Sequence, residues 1–200
     1  MAQTAQRIGA ELPRSRRPTA VSTAWDEAPG SVREARGRRV ARDLVELSRL
    51  QSGAERVELT ELDLAALLRT ICADYPDVEI AGPTQLQLST DSRRLARVLF
   101  TLLDNAFLHG AAPVVVSFDA AEIRVEDGGG GFAARVLERV TQPFVTGDRS
   151  HGRGVGLGLA IASRHAALLG GELELSNSPR GGAIARLRLT AEVPAALATA

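Results

Sequence analysis

The chain has 200 residues, 44% of them hydrophobic, enough apolar material to build one domain with a modest appendage, which excludes disorder throughout. Charge balances at 24 basic against 24 acidic residues, so no global field draws the chain to nucleic acid. Cys72 is the one cysteine, and no Cys and His cluster has metal-ligand spacing, which removes disulfide scaffolds and zinc modules.

No apolar run approaches the roughly 20 residues of a membrane helix. The opening MAQTAQRIGAELPRSRR lacks the apolar stretch of a signal peptide, and the expected location is the cytoplasm. The charge balance hides an asymmetry: residues 1–56 hold 11 Arg against 7 acids, residues 57–200 hold 13 Arg against 17 acids. Every basic residue is arginine, so any basic side chain on a phosphate must be a guanidinium.

Residues 1–30 mix Arg, Pro, Ser and Ala with little periodicity and read as a weakly ordered leader. In the next segment, 31–56, Val40, Leu44, Leu47 and Leu50 recur at helical steps and predict an amphipathic helix ending near Gly53. Its stripe needs a cover, either its own domain or a helix of another subunit. The domain proper is expected over 57–192, with a tail at 193–200. Within it the pattern predicts a helix from Leu62 to Tyr75 and strands at Val78 to Ile80 and Leu86 to Leu88. A third helix is capped by Asp91 and carries the stripe Leu95, Val98, Leu99, Leu102, Leu103 and Ala106. Strands at Val114 to Phe118 and Glu122 to Glu126 follow, then a helix from Leu159 to Leu169 and strands at Glu172 to Ser176 and Ile184 to Leu189. Cys72 reads as inert core. Helices interleaved with strands adjacent in sequence indicate an α+β fold, a two-layer sandwich with helices on one face of a mixed sheet and a short helical segment in front.

Three clusters carry chemistry. Asn105 lies beside the buried stripe of the third helix, where an unpaired amide costs about 1–3 kcal/mol; an amide oxygen facing a cavity is a hard ligand suited to Mg²⁺ among phosphates. Asp127 ends a strand and is followed by four glycines, 128 to 131, which give the backbone unusual dihedrals and close approach to a flat ligand. A carboxylate there can accept a hydrogen bond from an exocyclic amine such as adenine's. Gly154, Gly156 and Gly158 run directly into a helix, so free N–H groups and the positive helix end form an anion site. The pattern is neither a dinucleotide fingerprint nor a P-loop, since the acid and the Lys-Ser/Thr pair those motifs need are missing.

In this order and spacing, DSRRLARVLFTLLDNA (91–106), VEDGGGGF (125–132), QPF (142–144) and GVGLGLAI (154–161) resemble the N, G1, F and G2 boxes of the catalytic ATP-binding domain of bacterial sensor histidine kinases. That domain belongs to the wider family shared with gyrase, Hsp90 and MutL, and the likeness runs from about Leu62 to Leu189. It implies a Bergerat-type ATP-binding fold with ATP and Mg²⁺ as cofactors. By resemblance, Asn105 holds Mg²⁺, Asp127 reads the adenine amine, and Gly129 and Gly131 line the base pocket. Gly154, Gly156, Leu157 and Gly158 support the triphosphate. Residues 146–153 look like the family's lid, with Arg149 and Arg153 near the phosphates and Phe144 anchoring its base. Each histidine reads as a local residue, with phosphate contact the alternative for His109 and His151.

Departures from the pattern are Thr101 for the first Asn of the N box, Leu108 for a common Lys or Arg, and Ala183 for a Thr. Hydrolysing branches of the family carry a Glu at position 101; Thr101 is no base at neutral pH, which disfavours hydrolysis. LVELSRLQSG and ELDLAALL resemble the end of a dimerisation hairpin and its linker, yet Pro13 occupies the phosphoacceptor position and no histidine precedes His109. The resemblance therefore implies a phosphotransferase that presents the γ-phosphate of ATP to a histidine on another chain, with a response regulator downstream, as a possible homodimer or heterodimer, with no catalytic side chain fixed by sequence. Two other readings are a non-catalytic ATP-responsive protein-binding module and an anti-sigma-type serine kinase, the latter opposed by Thr101 in place of its Glu.

Overall fold

The computed structural model describes residues 31–53, 55–147, 155–189 and 198–199. The leader 1–30 and most of the tail therefore lie outside the described residues. The chain divides into two compact units, 1–38 and 39–200; of the first, the described residues begin helix α1 (Ser31–Gln51), and the second holds the sheet.

In the second unit, β3 (Val78–Ala81), β5 (Val114–Phe118), β6 (Glu122–Glu126), β8 (Ala183–Arg188) and β7 (Glu172–Asn177) form one sheet in that order. The β3–β5 pair is parallel and the others antiparallel. β2 (Thr60–Asp63) and β4 (Gln87–Thr90) make a separate antiparallel pair, and β1 (Val57–Glu58) pairs in parallel with β9 (Ala198–Thr199), a strand inside the stretch read as a tail. Helices α2 (Leu64–Cys72), α3 (Ser92–His109) and α5 (Gly158–Leu168) share one core cluster with the sheet; α4 (Ala134–Leu137) is a single turn. This is the two-layer arrangement expected from the sequence. None of the helices among the described residues is long and apolar enough to cross a membrane.

Helices α2 and α3 each start on a carboxylate. Asp63 Oδ1 accepts from the N–H groups of Ala65, Ala66 and Leu86, so one side chain caps α2 and ties it to the strand pair. The Leu86 bond, then those from Ala66 and Ala65, hold its carboxyl below the usual range. Asp91 Oδ1 accepts from Arg93 and Arg94 at the start of α3, and its Oδ2 accepts from Glu58 N–H. Buried Arg94 spans the same corner, with Nη2 2.7 Å from both Glu55 Oε2 and the Arg56 carbonyl. The predicted stripe of α3 is the buried one, and Cys72 is buried beside it, burial pushing its thiol up.

Helix α1 packs on its own domain. Leu47 and Leu50 are buried against Leu157 and Ile161, while Leu44 and Val45 stay exposed. The polar contacts are specific: Arg97 donates to Asp43 and to both oxygens of Glu46, and Glu46 Oε1 lies 2.8 Å from His165 Nε2. Arg94 Nη1 is 3.4 Å from Nδ1 of the same ring. A guanidinium only donates, so Nδ1 accepts and Nε2 carries the proton given to Glu46. The domain thus covers Leu47 and Leu50 of the stripe and leaves Leu44, and Val45 beside it, exposed.

Burial raises the Glu46 carboxyl, but the bonds from His165 and Arg97 outweigh it and hold the group at about 2, against an ordinary 4.5. A carboxyl depressed on folding contributes stability above its unfolded value and loses it as pH falls through the folded one. Glu46→Gln is therefore expected to cost about 1–2 kcal/mol at pH 7, discounted for partial solvent screening. In urea melts the gap between the two proteins should close between about pH 4.5 and 2.

Candidate functional site

Helix α3 orders the site. Residues four apart on a helix share a face, and Thr101, Asn105 and His109 are so spaced. Thr101 is buried, its hydroxyl donating to the Arg97 carbonyl at 3.0 Å. A methyl built on Gly158, at the start of α5, would lie 3.4 Å from Thr101 Cγ2. One end of this face therefore abuts the α5 N-terminus. At the other end α3 stops at Gly110, where a built methyl would sit 2.4 Å from Asp127 Cγ. Asn105 stands between them, half-buried, and its amide has no hydrogen-bond partner among the described residues. At 1.5 Å rise per residue the face runs roughly 13 Å from Thr101 to Gly110. The turn before Asn105 is held by Tyr75, whose hydroxyl donates to Asp104 at 2.9 Å while its ring packs on Phe107. Burial first, then that carboxylate, pushes the phenol above its ordinary range.

Asp127 is buried at the end of β6. Its Oδ1 accepts from Gly129 N–H at 2.8 Å, and its own N–H donates to the Ala183 carbonyl. Its Oδ2 has no partner among the described residues. The glycine loop earns its composition by contact rather than by flexibility: a methyl on Gly129 would lie 2.8 Å from Gly110 Cα, and one on Gly182 would lie 1.8 Å from the Asp127 carbonyl. Gly131 has φ +71°, and a methyl there would meet Asn177 Oδ1 at 2.6 Å. Asn177, at the end of β7, accepts from Phe132 N–H at 2.7 Å and donates back to the Phe132 carbonyl at 2.9 Å.

At the other end, α5 begins without a side-chain cap, and the N–H groups of Gly158, Leu159 and Ala160 have no acceptor among the described residues. Such an end is where an anion is favoured. The Leu157 side chain is buried with Leu47, Leu50 and Ile161, apolar area placed in an apolar cluster. The Phe144 ring is 60% exposed, while its N–H donates to the Gly156 carbonyl at 2.9 Å, with Phe144 at φ +66°. Gly156 is required there, since a methyl would lie 2.4 Å from the Val145 carbonyl. His109 ends α3, exposed. Arg149, His151, Arg153 and Gly154 lie outside the described residues.

The structure thus joins α3 to the start of α5 through Thr101 and Gly158, and to the glycine loop through Gly110, Asp127 and Gly129, with Asn105 on the helix between these two contacts. Among the described residues no group of three His, Cys, Asp or Glu could hold a metal by itself. A groove of about 640 Å³ beside α1, lined by Arg42, Val45, Glu46, Arg49 and His165 among others, contains none of these residues. Sequence reasoning missed Asn177; its only local signal is an amide immediately before the SPRGG turn. Gly182→Ala is expected to destabilise the fold by more than about 3 kcal/mol in urea melts, from backbone strain plus overlap. Gly130→Ala, where a methyl meets nothing within 4 Å, should stay within about 0.5 kcal/mol of the parent.

The profile of the histidine kinase-, DNA gyrase B-, and HSP90-like ATPase family matches residues 90–193. The sensor protein CseC of Streptomyces coelicolor is 42% identical over 153 residues, covering 75% of this chain and 30% of that protein. The histidine-protein kinase AfsQ2 of the same species is 36% identical, with 74% and 29% covered. The chain thus spans about 30% of the length of these relatives. Among solved structures, the ATP binding domain of PrrB from Mycobacterium tuberculosis is 29% identical with a TM-score of 0.52, covering 66% of this chain and 96% of that one. Full-length ShkA in complex with AMPPNP is 28% identical with a TM-score of 0.59, covering 74% and 34%. The chain belongs to the histidine kinase-, DNA gyrase B-, and HSP90-like ATPase family.

Proposed function

We propose that this chain binds ATP with Mg²⁺ and presents the γ-phosphate to a histidine carried by a separate helical hairpin, with a response regulator as the downstream acceptor. The observation that carries the reading is the single face of α3, which has a buried carboxylate at one end, a donor-rich helix start at the other, and an unpartnered amide between.

The base belongs at the Asp127 end. Oδ1 is committed to Gly129 N–H, which orients Oδ2 to accept from an exocyclic amine, and Gly129 and Gly131 offer backbone where side chains would exclude a flat ring. His109, one turn past Asn105 and next to Gly110, belongs on this side rather than beside the γ-phosphate. Phosphate oxygens belong at the N–H groups of Gly158, Leu159 and Ala160, with Gly154 and Gly156 shaping the approach and Arg149 and Arg153 supplying guanidinium charge. Leu157 contributes backbone alone.

The donor set suits Mg²⁺: one neutral amide oxygen at Asn105, with no carboxylate cage among the described residues, leaves the other positions to phosphates and water. When bound, the ion neutralises charge on the transferring phosphoryl group. The chain's own residues orient: Asp127 fixes the base, the α5 start fixes the phosphates, and the face of α3 sets the distance between them. The Thr101 hydroxyl is already bonded to a carbonyl, so that position offers no group to activate water, and transfer is favoured over hydrolysis.

Calorimetric titration with AMPPNP and Mg²⁺ tests the site. Asn105→Ala and Asp127→Ala should each weaken binding by at least about tenfold, the loss of a charged or metal-mediated contact; binding left intact by both would remove the assignment. With labelled ATP and a separate hairpin protein, label should appear on the hairpin's histidine. Label on a histidine of this chain would contradict transfer in trans.

A further inference from the structure

Asn177 lies on the last strand residue before the β7–β8 turn, 45 positions away from the loop it touches. Its amide does for Phe132 what a neighbouring strand would do, accepting from the N–H and donating to the carbonyl of the same residue. The contacts continue inward. Gly131 is closed against Asn177 Oδ1 and the Gly182 carbonyl, and Gly182 is closed against the Asp127 carbonyl and Gly129 N–H. The Asn177 side chain is therefore the outer member of a line of close contacts that runs through Gly131 and Gly182 to the backbone of Asp127.

Four successive glycines have more backbone freedom to lose than any other tetrapeptide. The loop is tied at its start by Asp127 Oδ1 to Gly129 N–H, and at its end by the paired bonds to Asn177; between them a methyl built on Gly130 would meet nothing within 4 Å. Without the second tie the loop would be held at one end only, and ordering it would be charged against ligand binding.

We propose that Asn177 is a positioning residue for base recognition: by clamping Phe132 it fixes the glycine loop as a rigid wall for an adenine ring and so sets preference for adenine over guanine nucleotides. This rests on the reading of the Asp127 end as the base site. It adds a residue that touches no ligand, acts through Gly131 and Phe132, and has no effect on the phosphate end.

The test is competition of ATP and GTP against a fluorescent adenine nucleotide with Mg²⁺, on the full chain, for the parent, Asn177→Ala and Asn177→Asp. Asn177→Ala should weaken ATP by roughly three- to tenfold, the worth of two partly solvated hydrogen bonds, with GTP changed less and the ligand-free melting temperature within a few degrees of the parent. Asn177→Asp, which keeps the acceptor for Phe132 N–H, should fall between the two. Hydrogen exchange at the Phe132 amide should quicken in Asn177→Ala and not in Asn177→Asp. ATP affinity within twofold of the parent in Asn177→Ala would overturn the proposal while leaving the base site standing. Equal losses for ATP and GTP that follow a lowered melting temperature would overturn it too, making Asn177 a purely structural residue. A parent protein that binds neither nucleotide would overturn the base site and this inference together.

Discussion

The site depends on one helix being held in one rotation. Successive residues of an α-helix differ by about 100° around its axis, so a slip of α3 by a single position would swing Asn105 off the border it shares with Asp127 and Gly158. The rotation is set by the buried stripe from Leu95 to Ala106, and both ends are fixed independently. Asp91 and Arg94 hold the first turn through five hydrogen bonds to backbone and carboxylate. Gly110 closes the last turn against the Asp127 side chain at a distance no other residue permits. Stability and ligand geometry are thus set by the same side chains, and damage to either end of α3 would reach both.

Much of this was legible in the sequence because it is local. The stripe of α3 is a period, its start is an Asp in the N-cap position, and the glycine runs are compositional signals; all three appear where expected. What was not legible shares a different cause, contact between residues distant along the chain. Nothing near Leu157 announces that its side chain is taken up by a helix more than a hundred residues earlier. Phe144 looks like an aromatic anchor, but the carbonyl of Gly156 claims its N–H and leaves the ring outside. Asn177 is a polar residue before a turn until Phe132 is folded against it. The pairing of β1 with β9 likewise joins the two ends of the domain sequence.

Helix α1 shows how a mixed surface divides its allegiance. Leu47 and Leu50 supply apolar area toward α5, while Asp43 and Glu46 share Arg97 and Glu46 also takes His165. These charges are only partly screened, and the guanidinium of Arg97 is held above its usual range: burial alone would lower it, and the Glu46 bond and charge more than offset that. The outer residues Leu44 and Val45 remain exposed on the same helix, so its domain side is fully committed and its far side is not.

Leu157 ties two regions that the sequence keeps apart. Its side chain is seated with Leu47, Leu50 and Ile161, and its carbonyl accepts the first helical bond of α5, from Ile161 at 2.9 Å. The helix start is therefore braced by the cluster it shares with α1. On the function proposed above, an arriving anion would meet donors that are already aimed, and its capture would be a matter of encounter in an attractive field.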